Sequence, residues 1–195
     1  VRVVAFSDLH RSRAFAGQIL AAAEDADLVI GAGDFGHMRQ GVAETLSWLA
    51  PIAEKAVFVP GNAESADELR AATGATVLHG QAADKAGLRL FGLGHAVPAT
   101  PFGAWSCDLT EAEAEALLAP LGPVDILITH SPPKGVADRA SSGQSLGSTA
   151  IRAAIERAQP RLVLCGHIHE SWGQRGWIGR SEVVNLGPRP VSFPL

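Results

Sequence analysis

Short apolar runs that end in aspartate, asparagine or histidine set the rhythm of this chain. Val1–Phe6 leads into Ser7-Asp8-Leu9-His10, Leu28-Val29-Ile30 into Gly33-Asp34, and Val57-Phe58-Val59 into Gly61-Asn62. Later, Ile126-Leu127-Ile128 leads into His130, and Arg161–Gly166 into His167-Ile168-His169. Short apolar runs bounded by turn residues read as buried strands. Helical spacing fills the intervals. Phe15, Ile19 and Ala23 predict a helix over roughly Ser12–Glu24, and Val42, Leu46 and Leu49 one near Gly41–Lys55. Ser65-Ala66-Asp67-Glu68 reads as a capping box opening a short helix. With strands at Val1–Phe6, Asp27–Ala32 and Lys55–Pro60, this alternation argues for parallel pairing.

The middle of the chain changes character. Thr76–His79 and Leu88–Gly92, separated by the polar Gly80–Gly87, are expected to pair as a hairpin or meander. Gly92–Asp108 reads as a long loop rich in glycine and proline. Thr110-Glu111-Ala112-Glu113 caps another helix, Val124–His130 is a strand, and Ile151, Ala154, Ile155 and Ala158 mark a helix after Ser148. Gln174–Ile178 and Glu182–Asn185 give the ending a β-rich cast. The expected fold is α/β, a four-layer α-β-β-α sandwich with two mixed sheets face to face and helices outside. One domain over residues 1–195 accounts for all of it, with no repeat or linker.

Composition narrows the function classes. A hydrophobic content of 47% allows a substantial core, and a net charge of -4 offers no basic stripe for a long polyanion. Nucleic acid is disfavoured as a partner, whereas a small phosphate ester is not. No apolar run approaches the roughly 20 residues of a membrane helix, and the first residues do not read as a signal peptide. Cys107 and Cys165 are too few for a disulfide framework, which suits the cytoplasm. Cys165 is expected to be a small buried residue rather than a ligand. The oligomeric state is not written in the sequence.

Ligands in open α/β sheets collect at the carboxyl ends of strands, and there the ligand-type residues stand. Singly, each has a plainer reading. Asp8 could cap the first helix, Asn62 could be a turn residue, and His130 could be a strand-end histidine. His167 and His169 alternate, so they would point to opposite faces unless the backbone turns at Gly166.

Taken together, Asp8-x-His10, Gly33-Asp34, Gly61-Asn62, His130 and Gly166-His167-x-His169 resemble the calcineurin-like metallophosphoesterase family, in its order and over nearly the whole chain. The resemblance implies a dinuclear metal site at the strand ends. Asp34 would bridge two divalent cations, one held also by Asp8, His10 and His169, the other by Asn62, His130 and His167. Such pairs, about 3.5–4 Å apart, grip the attacking and leaving oxygens of an in-line displacement. Imidazole and carboxylate donors suit Mn, Fe, Zn, Co or Ni, with manganese foremost. The implied activity is hydrolysis of a small phosphate mono- or diester by a metal-bridging hydroxide, with Asp34 and Asn62 in the catalytic set.

One block departs from the family. Where the pattern usually continues Gly-Asn-His followed by an acid, this chain reads Gly61-Asn62-Ala63-Glu64. Ala63 cannot supply charge or a proton to the leaving group, a contribution typically worth about 10²–10⁴-fold. Glu64 is therefore expected to lose its usual supporting role. His37 and His95 are the candidates to compensate, and His79 is assigned no role. The chain has no tyrosine, unlike purple acid phosphatases with their tyrosinate ligand. Arg39 stands one place late for the phosphate-contacting arginine of protein serine/threonine phosphatases. The competing reading is a non-catalytic metal-binding scaffold of the same fold that mediates protein assembly, as in the retromer complex. A nuclease, needing a basic channel, comes third.

Overall fold

A computed structural model describes residues 1–195. The strands are β1 (Arg2–Phe6), β2 (Leu28–Gly31), β3 (Ala56–Phe58), β4 (Thr76–Val77), β5 (Gln81–Lys85), β6 (Leu88–Leu93), β7 (Ile126–Thr129), β8 (Leu162–Cys165), β9 (Arg175–Ile178), β10 (Ser181–Asn185) and β11 (Val191–Pro194). The helices are α1 (Arg13–Ala23), α2 (Val42–Trp48), α3 (Ala66–Ala72), α4 (Glu111–Leu118) and α5 (Thr149–Ala158). Five strands form one sheet in the order β11-β1-β2-β3-β4, and six form the other in the order β5-β6-β7-β8-β10-β9. Both are mixed: β1 pairs parallel with β2 and antiparallel with β11, while β10 pairs parallel with β8 and antiparallel with β9.

The runs of the central strands β2, β3, β7 and β8 are apolar without interruption because the sheets are buried on both faces there. Side chains alternate across a strand, and the alternation sorts them into three cores. Val3, Ala5, Leu28 and Ile30 point inward against Ile126, Ile128, Leu162 and Leu164 of the facing sheet. Their neighbours Val4, Phe6 and Val29 face outward onto Ile19 and Leu46 of α1 and α2. Leu127, Val163 and Cys165 face the other way, onto Leu118 of α4 and Ile151 and Ile155 of α5. The four expected layers are thus present, with the β1, β2, β3, β7 and β8 carboxyl ends leading into the ligand-type residues.

Several expectations need correction. The helix near Gly41–Lys55 stops at Trp48, and Ala50–Lys55 continues as a 3₁₀ turn. Pro51 explains the break, since it has no N–H for the α-helical ladder and crowds the preceding turn. Thr76 does not pair with Leu88: β4 lies parallel to β3 in the first sheet. The true hairpin joins β5 and β6 through Ala86 and Gly87, with φ of 51° and 76°, the left-handed pair that a two-residue turn requires. β5 carries no strand signature because Gln81-Ala82-Ala83-Asp84-Lys85 is an edge strand with little apolar content to bury. β11, flanked by Pro190 and ending at Pro194, is likewise an unexpected edge strand.

Four of the five helices, all but α2, are closed by a side chain at the N-terminus. Ser65 and Thr110 each form a full capping box. Ser12, not Asp8, caps α1 by accepting from the Phe15 N–H. The N-terminus of α5 has a second closure. Glu111 of α4 accepts from Thr149 N and Ala150 N at 3.0 Å each and from the Ser148 hydroxyl at 2.7 Å. A carboxylate there satisfies free amides and complements the helix dipole. Glu111→Ala should therefore lower unfolding stability by about 1–2 kcal/mol in urea titration, and Glu111→Gln by less.

Candidate metal centre

The loops after β1 and β2 are stitched together before any ligand is placed. Asp8 N donates to Gly33 O and His10 N to Asp34 O, both at 2.9 Å. Asp8, His10, Asp34 and His167 all adopt left-handed backbone, with φ of 51°, 43°, 60° and 69°. Non-glycine residues held this way cost about 1–3 kcal/mol each and gather at functional sites. His167 also answers the alternation problem: the backbone turns at the histidine itself, and a 3₁₀ turn begins at His169. Gly166 is required for a different reason. A Cβ there would lie 2.5 Å from both Asp8 Oδ2 and Ser7 Oγ, so glycine permits close approach rather than an unusual angle.

Two groups of possible ligand atoms result. Asp8, His10 and His169 converge in one, and Asp34, His130 and His167 in the other, with the atoms of each within 4.8 Å of one another. Asp34 stands between them. Its Oδ2 lies 3.4 Å from His10 Nε2 and its Oδ1 3.4 Å from His130 Nε2. Asn62 Oδ1 joins the second group, 3.1 Å from His130 Nε2.

The donor chemistry fits divalent cations. His130 Nδ1 bonds Ala32 O at 2.8 Å and His10 Nδ1 bonds Gly36 O at 3.0 Å, arrangements in which each ring donates outward and turns Nε2 toward the site. His10 Nε2 and His169 Nε2 then face each other at 3.3 Å. Nitrogen lone pairs, a carbonyl oxygen and carboxylates crowded together need positive charge among them. The surrounding partners fix the ligands further. Asp8 accepts from Ser7 Oγ at 2.5 Å, His167 N at 3.2 Å and Trp172 Nε1 at 3.1 Å, and Asn62 Nδ2 donates to Ser106 Oγ at 2.9 Å.

Glu64 overturns the expectation drawn from Ala63. It is fully buried and accepts four backbone N–H groups, from Asp34 at 2.7 Å, Phe35 at 3.3 Å, Gly36 at 3.1 Å and Gly61 at 2.8 Å. Glu64 thereby clamps the loop that presents Asp34 to the loop that presents Asn62. The clamp is close: a Cβ on Gly61 would collide with Asp34 Oδ1.

The electrostatics follow from packing charges out of water. Burial works to raise the Asp34 carboxyl, but the charge and hydrogen bond of His130 prevail and hold it well below the ordinary range. Burial works to lower His130, and Asp34 with Asp8 pushes it up to about 9, its proton standing in for the positive charge that a bound cation would supply to both anions. Burial, with His130 adding to it, pushes His167 down to about 4, leaving its ring neutral as metal binding requires. Burial, then the charge of Asp34, raises Glu64 to about 7.

A cavity of about 600 Å³ opens over these groups, lined by His10, Asp34, Asn62, His167 and His169 among others. His37 is on its exposed rim, 5.6 Å from the His10 ring. The structure does not bring His95 there. Its ring packs 4.4 Å from His79, and burial pushes it down to about 4. Cys165 is buried at the end of β8, its thiol donating to Val184 O of the neighbouring β10 and its pKa raised strongly by burial. Sequence reasoning missed Ser7, Ser106 and Trp172; only the adjacency of Ser7 to Asp8 and of Trp172 to His169 hinted at them.

Glu64→Ala would strand four buried amides, each worth about 1–3 kcal/mol when unsatisfied. The expected loss exceeds about 3 kcal/mol in urea unfolding, with Glu64→Gln, which keeps one accepting oxygen, falling between. A wild-type unfolding curve for Glu64→Ala would contradict the clamp.

Residues 1–190 match the family model for the calcineurin-like phosphoesterase superfamily domain. Among curated proteins, metallophosphoesterase domain-containing protein 1 of Homo sapiens is 36% identical over 97 residues, covering 47% of this chain and 29% of that protein. The chain thus spans less than a third of the length of the curated relatives it matches. Among solved structures, TT1561 of Thermus thermophilus aligns with a TM-score of 0.74 at 18% identity, over 95% of this chain and 88% of that one. The phosphopantetheinyl hydrolase of Mycobacterium tuberculosis aligns at 0.57 and 14% identity, over 95% and 89%. At such identities the structural likeness establishes the fold. The family model, met by nearly the whole length, establishes the rest: this chain belongs to the calcineurin-like phosphoesterase superfamily.

Proposed function

We propose that this chain is a metal-dependent phosphoesterase, a single domain over residues 1–195 that hydrolyses a small phosphate mono- or diester. The observation that carries the reading is Asp34 itself, one carboxylate whose two oxygens face histidines of two different ligand groups. Asp8, His10, Asp34 and His169 would hold one cation, and Asp34, Asn62, His130 and His167 the other. The mixed imidazole and carboxylate donors favour a transition metal, manganese being the first to try. When bound, such ions polarise phosphoryl oxygens and lower the pKa of water.

The chain's own residues orient the reaction. Ser106 turns the Asn62 carbonyl toward His130, while Ala32 and Gly36 fix the two imidazoles. In hydrolysis a water oxygen joins phosphorus, the bond from phosphorus to the ester oxygen breaks, and that oxygen takes a proton. Ala63 lines the cavity where the family pattern has a histidine, and it supplies no proton. His37, on the rim, is the nearer of the two expected substitutes, and we assign it proton delivery to the leaving oxygen. His95, outside the cavity lining, receives no part. No helix is long and apolar enough to cross a membrane, and the free thiols of Cys107 and Cys165 support action in the cytoplasm. Ala63 also favours a second reading, a metal-binding scaffold without turnover, and hydrolysis of any phosphate ester separates the two.

Losing even an outer partner of a metal ligand costs about 10–100-fold, so Asp34→Asn should lower turnover more than about 100-fold while the protein stays folded. Near-normal hydrolysis by that variant contradicts the reading. The proton assignment has its own test, the ratio of alkyl-ester to nitrophenyl-ester hydrolysis at equal metal loading. His37→Ala should lower that ratio at least about tenfold and Ala63→His should raise it, with His95→Ala leaving it unchanged. Ratios unmoved in both of the first two variants mean that neither position governs leaving-group protonation.

A further inference from the structure

The cavity over the ligand groups is apolar on most of its wall, and the long Gly92–Asp108 segment supplies most of that wall. Pro98, Pro101, Phe102 and Trp105 come from it, and Met38 and Leu146 from neighbouring loops. Phe102 is 51%, Met38 48% and Leu146 37% exposed, so three large apolar side chains meet solvent beside the site. The Phe102 and Trp105 rings stack in parallel, 5.7 Å between centroids and 5° between planes. Exposed apolar groups gathered around a polar centre mark a binding surface rather than chance.

The segment that carries these rings is tied down. Asp108 accepts from Thr100 N at 2.6 Å, Thr100 Oγ1 at 2.7 Å and Ser106 Oγ at 2.6 Å. Val97 N donates to Ser131 Oγ, Ala96 N to Cys107 O, and Cys107 N to Asn62 O. Ser106, one residue from Trp105, is also the group that orients Asn62. The aromatic pair and the polar site are therefore held by one hydrogen-bonded unit, and the wall is preformed for whatever occupies it.

Charge limits the occupant. No lysine or arginine lines the cavity, and its acidic members are Asp34 and Glu170, the latter exposed. A second phosphate, reaching away from the ligand groups, would meet mostly apolar carbon and the Glu170 carboxylate, with only His37 and Thr100 as polar partners on that side. A flat apolar group would instead meet the Phe102 and Trp105 rings, where aromatic contact adds to the gain from burial. We propose that the Phe102–Trp105 wall selects singly charged phosphodiesters bearing a flat apolar ester group, the group lying against the ring pair while the phosphate sits at the Asp34 groups. This rests on the phosphoesterase reading for what becomes of the ester, but not for its binding.

Calorimetric titration tests the wall directly. Diphenyl phosphate and dimethyl phosphate carry the same single charge and differ in their ester groups. With manganese(II) in excess, diphenyl phosphate should bind at least about tenfold more tightly. Phe102→Ala and Trp105→Ala, checked for unchanged thermal midpoints, should each reduce that preference to about threefold or less. Equal affinities in the wild type, or a preference that survives both substitutions, would overturn the proposal. Hydrolysis of nitrophenyl phosphate, a monoester, and of methyl nitrophenyl phosphate, a diester, is read separately on the same preparations. The binding preference without hydrolysis upholds the wall and overturns the phosphoesterase reading, whereas hydrolysis without the preference overturns the wall alone.

Discussion

Asp34 is an anion held in the interior between two sets of inward-turned imidazoles, and the structure around it is arranged to keep it there. A buried carboxylate persists only when charges and hydrogen bonds replace water. His130 and His10 answer its charge from opposite oxygens, and Ala63 N donates to Oδ1 at 2.9 Å. Beneath it a second buried acid, Glu64, gathers the amides of both adjoining loops. The Glu64 clamp makes the loop after β2 and the loop after β3 one rigid piece. Without it Asp34 would have no fixed position between the imidazoles.

The two-sheet architecture places such a site where it can be built. Strands apolar on both faces leave no room for ligands along their length, so polar side chains gather at strand ends. Here both sheets present their carboxyl ends together, and Gly166 N bonds His130 O across neighbouring strands of one sheet while Ser7 N bonds Gly187 O. The left-handed backbone at four ligand positions is the local cost of aiming short side chains at a common point. Three packed cores offset that cost.

Legibility in the sequence followed how locally each feature is determined. The seven ligand-type residues could be read because they follow apolar runs within a few residues, and those five runs are strands. The capping boxes at Ser65 and Thr110 were legible for the same reason, being complete within four residues. What failed was long-range or lightly apolar. β4 and β6, expected to pair, belong to different sheets, a choice settled by packing of Val77 and Leu78 that periodicity does not record. The role of Glu64 was hidden because its partners are amides, and amides have no sequence signature. His95 looked available beside a long loop, yet its ring turns toward His79. The Phe102–Trp105 pair was invisible because a loop's apolar residues gain meaning only once its own hydrogen bonds are known.

If Asp34 is shared by two cations, both must lie against its carboxylate, one on each oxygen. Crystals of the protein grown with manganese(II), measured at wavelengths on either side of the metal absorption edge, test it most directly. Two anomalous peaks about 4 Å apart are expected, with Asp34 oxygens between them and histidine nitrogens on both sides. A single peak bound only by Asp8, His10 and His169, or peaks elsewhere on the surface, would contradict it.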